Sequence, residues 1–229
     1  MISSDNYAPS DFVVPILGRN PDGSPGSFLG TGSFIRSGAK LLTCDHVLAQ
    51  WSGDYCIAVE KTQSVFDAHV ITRNPKTDLA LLQVHGYEPP HFLEPRAEGS
   101  LHLNRLVLCF EYGTTISAGN QIAFVPATRI GNVTRICNFV DRFGDAGAEM
   151  LELSFPALRG ASGAPIMDWQ PPFRLWGVVT ANVSYELLPV QIESIHDTTG
   201  KLDEETKFFL PQGLAINVKH VNALLAQAD

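Results

Sequence analysis

The stretch Gly160-Ala161-Ser162-Gly163-Ala164-Pro165 is the most informative part of this 229-residue chain. It places a serine between two glycines, which is typical of a tight turn that presents the serine hydroxyl. A serine hydroxyl becomes an effective nucleophile only when an imidazole accepts its proton and a carboxylate orients that imidazole. The chemistry of the turn therefore requires a histidine and an acidic residue from elsewhere in the chain.

Two further segments supply those groups. A histidine is predicted at the end of an apolar strand in the segment Thr43-Cys44-Asp45-His46-Val47. An aspartate lies at the start of an apolar run in the segment Thr77-Asp78-Leu79-Ala80-Leu81-Leu82. Alone, such a histidine is more often structural, and such an aspartate is typical of a turn. Together they make His46 the candidate general base, Asp78 its orienting carboxylate and Ser162 the nucleophile.

Most of the chain resembles the trypsin-like, chymotrypsin-fold serine peptidases, as a stand-alone bacterial-type domain. The matching segments follow in the family's order at residues 30–35, 42–47, 78–82, 160–165, 175–180 and 213–218. The resemblance implies an all-β fold of two antiparallel six-stranded barrels, packed face to face, with a C-terminal helix. It implies a serine endopeptidase whose substrate cleft lies between the barrels, and an oxyanion hole made by the N–H groups of Gly160 and Ser162.

The resemblance also locates a pocket for the residue before the scissile bond, with Pro156 at its base, Asn182 and Gly213 at its entrance, and Thr180 nearby. None of these residues is acidic, so we expect an uncharged, medium to large apolar side chain there rather than Arg or Lys. Ala161 stands where zymogen-activated relatives have an Asp that pairs with a newly cut N-terminus. Activation by N-terminal cleavage is therefore not expected.

Short apolar runs separated by Gly, Pro, Asn and Asp predict two sets of strands. Residues 1–98 form the first barrel, carrying His46 and Asp78, and residues 99–229 form the second, carrying Ser162. Three prolines in residues 86–95 indicate a linker between them. The first strands are expected at 13–18, 32–35, 40–44, 55–59, 64–71 and 78–84, and the second at 105–110, 121–126, 128–139, 150–155, 164–167, 173–182 and 212–216. Residues 217–228 predict a helix capped by Asn217.

Composition excludes several other classes of protein. A net charge of −8 disfavours nucleic acid, and no run of 18 apolar residues predicts a membrane span. The N-terminus has neither a basic nor an apolar segment, so no cleavable signal is expected. No histidine or cysteine has the spacing of a metal site, and we expect no cofactor. Val47 replaces the cysteine of secreted relatives, which favours a cytoplasmic protein with reduced thiols at Cys44, Cys56, Cys109 and Cys137.

Two other functions stay open. The fold could be a catalytically idle module that binds peptides, or the serine could act on esters. An α/β-hydrolase is disfavoured, because Ala164 breaks its G-x-S-x-G motif and the serine comes last in the chain. The insertion at residues 183–207 is either an inert excursion or hairpin, or a loop that closes over the cleft and receives an activating protein partner.

Overall fold

The computed structural model describes residues 7–97, 101–118, 121–140, 146–197 and 200–228. No helix within these ranges is long and apolar enough to cross a membrane. The strands are β1 (Val13–Arg19), β2 (Pro25–Phe34), β3 (Lys40–Thr43), β4 (Tyr55–Val59), β5 (Ser64–Asn74), β6 (Leu79–Val84), β7 (Glu94–Pro95), β8 (Leu106–Glu111), β9 (Ile116–Ala118), β10 (Gln121–Ala123), β11 (Ala127–Val140), β12 (Ala146–Leu153), β13 (Pro165–Asp168), β14 (Arg174–Asp197) and β15 (Gly200–Asn217). The α-helices are α1 (Asp45–Ala49) and α2 (Val218–Ala228).

The first six strands close into a barrel in the order β1-β2-β3-β6-β5-β4, which confirms the first predicted barrel. Residues 79–82 of β6 are all buried, and this explains why that strand is an unbroken apolar run instead of an alternating one. Asp78 immediately precedes β6 and has a φ of +53°, a left-handed conformation that Asp tolerates better than most residues. The carboxylate is thereby placed at the rim of the barrel.

The second unit is a seven-stranded sheet in the order β13-β8-β11-β12-β15-β14-β7, in which β13 also pairs with β14. This additional pairing joins six strands, β13-β8-β11-β12-β15-β14, in a closed circuit, and β7 attaches to β14 outside it. The proline-rich linker contributes a short strand of its own, because Glu94 and Pro95 pair in parallel with Arg174 and Leu175. The predicted boundary between residues 98 and 99 lies outside the described residues.

The structure contains a helix that the sequence did not predict and one that it did. His46 lies in the five-residue helix α1, and not at the end of a strand, because Val47 and Leu48 turn into the core directly after β3. The predicted C-terminal helix is confirmed as α2. Asn217 caps it by accepting a hydrogen bond from the Lys219 N–H at 3.1 Å.

The insertion forms a long antiparallel hairpin of β14 and β15. The two strands pair from Gly177 and Asn217 outward to Asp197 and Gly200, with a register irregularity between Leu187 and Gln191. The backbone of the insertion is therefore a hairpin, and the predictions that it is inert, or that it closes over the cleft and receives a partner, both stay predictions. Residues 198 and 199 of the predicted insertion lie outside the described residues.

A buried carboxylate, Asp168, ties the linker to the second sheet. It accepts hydrogen bonds from Arg96 at 2.7 Å, from Arg105 at 2.8 Å and from the indole N–H of Trp176 at 3.0 Å. Both guanidinium groups also lie about 5 Å from the centre of the Trp176 ring, at 5.1 and 5.0 Å, within the range of cation–π attraction. Burial alone would raise the pKa of Asp168, but these hydrogen bonds outweigh it and hold the pKa below the ordinary 3.8.

We expect Asp168→Asn to lower the free energy of unfolding at pH 7 by about 2 kcal/mol, because it removes a charged acceptor from two partly buried arginines. The pKa of Asp168 is lower in the folded protein than in the unfolded chain, so its contribution to the free energy of unfolding is complete above the unfolded pKa, near 3.8. This contribution is lost as the pH falls through the lower pKa of the folded protein. The free energies of unfolding of the wild-type protein and of Asp168→Asn, measured by urea denaturation, should therefore converge in acid. Asp67→Asn, which removes the surface ion pair with Arg19, is the control and should cost about 0.5 kcal/mol or less.

Candidate active site

The structure brings His46 and Asp78 into direct contact through two hydrogen bonds. His46 Nδ1 lies 2.7 Å from Asp78 Oδ2, and the His46 backbone N–H donates to Asp78 Oδ1 at 2.9 Å. Both carboxylate oxygens therefore hold the same residue, one by its ring and one by its backbone. An imidazole that donates from Nδ1 has Nε2 as its proton acceptor, which is the tautomer that activation of a hydroxyl requires.

Thr180 on β14 joins this pair to Ser162. Its hydroxyl donates to Asp78 Oδ2, and its backbone carbonyl accepts a hydrogen bond from Ser162 Oγ at 3.3 Å. Among the described residues, no hydrogen bond joins Ser162 to His46. This bond is often long in substrate-free hydrolases and tightens only in the complex. Thr180, expected only near the substrate pocket, thus also positions the carboxylate.

The electrostatics of the site keep Asp78 charged. Burial opposes its ionisation, but hydrogen bonds from His46 and Thr180 outweigh it and hold the pKa of Asp78 below 3.8. In turn, the hydrogen bond to Asp78 raises the pKa of His46 above 6.5, against the effect of its own partial burial. The carboxylate therefore stabilises the imidazolium that forms when His46 takes a proton.

The segment before Ser162 folds as a type II turn. The Ala161 N–H donates to the Leu158 carbonyl at 3.0 Å, and Gly160 has a φ of +92°, the conformation that this turn requires at its third residue. A Cβ at Gly160 would also lie 2.6 Å from the Phe28 ring. Within the described ranges, the N–H groups of Gly160 and Ser162 have no protein acceptor. The oxyanion hole at these two residues stays a prediction with which this geometry is compatible.

Thr31, on β2 of the first barrel, holds this turn from the opposite side, a role that the sequence analysis missed. Its hydroxyl donates to the Gly160 carbonyl at 2.9 Å, and its backbone N–H donates to the Ser162 carbonyl at 2.9 Å. A Cβ at Gly163 would lie only 2.0 Å from the Thr31 carbonyl oxygen. The glycines on either side of Thr31 were the available signal, because glycine in a strand often marks the close approach of another backbone.

The predicted pocket residues also lie together, but hydrogen bonds cross the space between them. Asn182 is the register partner of Gly213, whose N–H donates to the Phe155 carbonyl at 2.7 Å. The Asn182 side chain accepts from the Ala157 N–H and donates to the Ala157 carbonyl, both at 2.7 Å. Pro156 lies in the chain between Phe155 and Ala157, which make these hydrogen bonds with Gly213 and Asn182. The amide of Asn182 therefore bridges the two walls that were expected to flank an open entrance.

Cys44, His46 and Asp78 could in principle hold a metal, since one ligand atom of each lies within 4.8 Å of the others. The donors do not fit this use. Metal binding needs a thiolate, whereas burial raises the pKa of Cys44 well above its usual value, and its thiol donates to the Val179 carbonyl at 3.1 Å. His46 and Asp78 are already bonded to each other.

A mostly β fold with one closed barrel, a second sheet and a C-terminal helix fits the chymotrypsin-like class of folds. The family model for a trypsin-like peptidase domain matches residues 30–172, more than half of the chain. The chain therefore belongs to the trypsin-like peptidase family. A comparison with curated proteins gave no match.

Solved structures support the same fold at low sequence identity. The HtrA-type protease AlgW with a decapeptide has a TM-score of 0.66 and 15% identity, covering 96% of this chain and 64% of its own, so this chain spans under two thirds of it. The Rv3671c protease from M. tuberculosis, in its active form, has a TM-score of 0.63 and 20% identity, covering 95% and 81%. The MamO protease domain from Magnetospirillum magneticum has a TM-score of 0.63 and 16% identity, covering 95% and 97%.

We expect labelling of Ser162 by a fluorophosphonate probe to need neutral His46. Because the His46 pKa is raised, the labelling rate should fall about tenfold per pH unit below a midpoint that lies above 6.5. In Asp78→Asn the midpoint should move to lower pH and the maximal rate should drop by about 10⁴-fold. His85→Gln, which changes an exposed histidine, is the control and should leave the profile in place; an unchanged midpoint in Asp78→Asn would contradict the assignment.

Proposed function

We propose that this protein is a serine endopeptidase that hydrolyses peptide bonds of protein substrates through an acyl-enzyme. The observation that carries the proposal is the continuous chain of contacts from His46 through Asp78 and Thr180 to Ser162. Such a chain orients a base, keeps its carboxylate charged and holds the hydroxyl beside them. The decapeptide in the HtrA-type relative supports a protein or peptide substrate.

In the proposed reaction, Ser162 Oγ attacks the carbonyl carbon of the scissile bond while its proton passes to His46 Nε2. The carbonyl oxygen becomes an oxyanion, which the N–H groups of Gly160 and Ser162 receive. The intermediate collapses as the C–N bond breaks and the leaving amine takes the proton from His46. Water then attacks the acyl-enzyme by the same route, and Ser162 regains its proton.

We further propose that the residue before the scissile bond is uncharged. No acidic side chain lies among Pro156, Thr180, Asn182 and Gly213, so nothing in this set would draw Arg or Lys. The bridge from Asn182 to Ala157 narrows the entrance, which favours the smaller of the uncharged side chains. The expected medium to large residue would require the Asn182 amide to move.

A catalytically idle peptide-binding module is the alternative, and one observation favours it. Ser162 Oγ is bonded to the Thr180 carbonyl instead of to His46. The alternative predicts that Ser162 stays in this arrangement when a peptide binds, so that its proton never reaches the imidazole.

Covalent labelling by a fluorophosphonate separates the two functions. We expect wild-type protein to be labelled at Ser162 and to cleave unfolded casein, and both signals to vanish in Ser162→Ala and to drop by orders of magnitude in His46→Ala. Ser154→Ala is the matched control and should keep both signals. Each variant should also have the melting temperature of the wild-type protein, which shows that it is correctly folded. Absence of labelling and cleavage in correctly folded wild-type protein would support the binding module.

Asn182→Gly tests the narrowed entrance. Removing the bridging amide should open the pocket, so that the ratio of kcat/KM for Phe against Ala before the scissile bond rises about tenfold. The measurement uses two tetrapeptide substrates that differ only at this position. Asn132→Gly, which removes a comparable amide on β11, should leave the ratio where it was. An equal ratio in all three proteins would show that Asn182 does not limit this pocket.

A further inference from the structure

Two histidines of the first barrel are neighbours on one face of its wall. His69 lies in β5, and His85 directly follows β6. These two strands are antiparallel, with Ala68 opposite Val84. The next pair continues this register, since the His85 N–H donates to the Asp67 carbonyl at 2.9 Å. His69 and His85 are therefore diagonal neighbours across the ladder, a distance that long side chains can bridge.

The two imidazole rings are close together and accessible. Their centroids lie 4.8 Å apart, with an angle of 77° between the ring planes, and both residues are exposed. Within the ranges that the structure describes, no hydrogen bond or ion pair engages a ring nitrogen of His69 or His85. Each neutral imidazole carries one nitrogen with a free lone pair. The pair therefore offers two nitrogen ligands at one place on the surface.

The separation of the rings matches that of two imidazoles that share one metal ion. A bond from Zn²⁺ to a ring nitrogen is about 2.0–2.1 Å long, which places each centroid about 3.2 Å from the ion. Two such centroids lie about 5.2 Å apart at a tetrahedral angle and about 4.5 Å apart at a right angle. The observed 4.8 Å falls between these values. Rotation about the Cβ–Cγ bond is soft, so each ring can aim a nitrogen at a common point.

The barrel holds the two histidines at this distance. Ala68 and Val84, which lie beside them in the chain, are 1% and 3% exposed and belong to the core. The backbone of both residues is thus fixed by packing and by the ladder between β5 and β6. A chelate formed by His69 and His85 therefore requires only the two rings to be ordered, which lowers the entropic cost of binding.

The charges around this pair do not oppose a cation. Arg19 reaches the same region, but Asp67 forms an ion pair with it at 2.6 Å and offsets its charge. Lys40 lies on β3 opposite Gln83, and is two strands away from His69, about 10 Å. The whole chain carries a net charge of −8, which raises the concentration of cations near its surface.

We propose that His69 and His85 together bind one divalent transition-metal ion of the Zn²⁺ type, with water completing its coordination. Imidazole nitrogen suits Zn²⁺, Cu²⁺ and Ni²⁺, whereas Ca²⁺ and Mg²⁺ prefer oxygen ligands. The ion joins β5 to the segment after β6 and so stabilises the folded barrel. This site is separate from the proposed peptidase chemistry, because the length of β6, about 20 Å, lies between His85 and Asp78.

Calorimetric titration with Zn²⁺ tests whether the two histidines share one ion. We expect one ion per chain at this site, and a dissociation constant that rises at least about tenfold in His69→Gln and in His85→Gln. The double variant should lose little more than either single variant, because a shared ion is already released when its first ligand is removed. Losses that add in the double variant, or binding that survives either substitution, would overturn the proposal.

Two control variants separate this ion from other zinc binding. His102→Gln changes an exposed histidine of the second unit and should leave the titration unchanged. His46→Gln should also keep the ion, which distinguishes the site from the cluster of Cys44, His46 and Asp78. Loss of the ion in either control variant would contradict the assignment to His69 and His85. Neither titration uses hydrolysis, so the proposed function can fail without affecting this result.

Thermal unfolding provides a second measurement. At free Zn²⁺ about a hundredfold above the dissociation constant, the Tm of the wild-type protein should rise by about 5–10 °C. His69→Gln and His85→Gln should have the wild-type Tm without metal and no such rise with Zn²⁺, and Mg²⁺ should have no effect on any of the three proteins. An unchanged Tm in the wild-type protein, or an equal rise in all three, would show that the rings only pack edge to face and do not share an ion.

Discussion

The hydrogen bonds from Thr31 to the turn around Ser162 are the constraint on which the site depends. Two donors of one residue bind the Gly160 and Ser162 carbonyls, both at 2.9 Å, and so fix the planes of the Gly160–Ala161 and Ser162–Gly163 peptides, which lie on either side of the peptide that carries the Ser162 N–H. Thr31 is itself held, because its carbonyl accepts from the Thr43 hydroxyl at 2.8 Å, on the strand that leads to His46. The strand before His46 and the turn around Ser162 are thus linked through the same residue of the first barrel.

Strand β14 of the second sheet also holds several groups of the site in place. Within three residues it supplies the hydroxyl that holds Asp78, the carbonyl beside Ser162 and the amide that bridges to Ala157. Because a strand has a fixed rise per residue, these groups keep fixed spacings from each other. The contacts to Asp78, Ser162 and Ala157 are therefore not independent of each other, and a displacement of β14 would alter all of them.

The sequence was most informative where chemistry restricts the residue type. Ser162, His46 and Asp78 could be proposed together because nucleophilic catalysis needs those three groups, and β6 could be predicted because its apolar run is unbroken. Helix α1 could not be predicted, since five residues are too few to show helical periodicity. The parallel pairing of Glu94 and Pro95 and the bridge from Asn182 to Ala157 depend on contacts between distant segments, which leave no local pattern.

The contact between Thr31 and Gly160 joins residues 129 positions apart in the chain. During synthesis the first barrel, with His46 and Asp78, emerges well before the ribosome has made the turn around Ser162, and domains generally fold in that order. The turn acquires its final shape only when the two halves dock. The complete arrangement of His46, Asp78, Thr180 and Ser162 therefore arises only with this last step of folding.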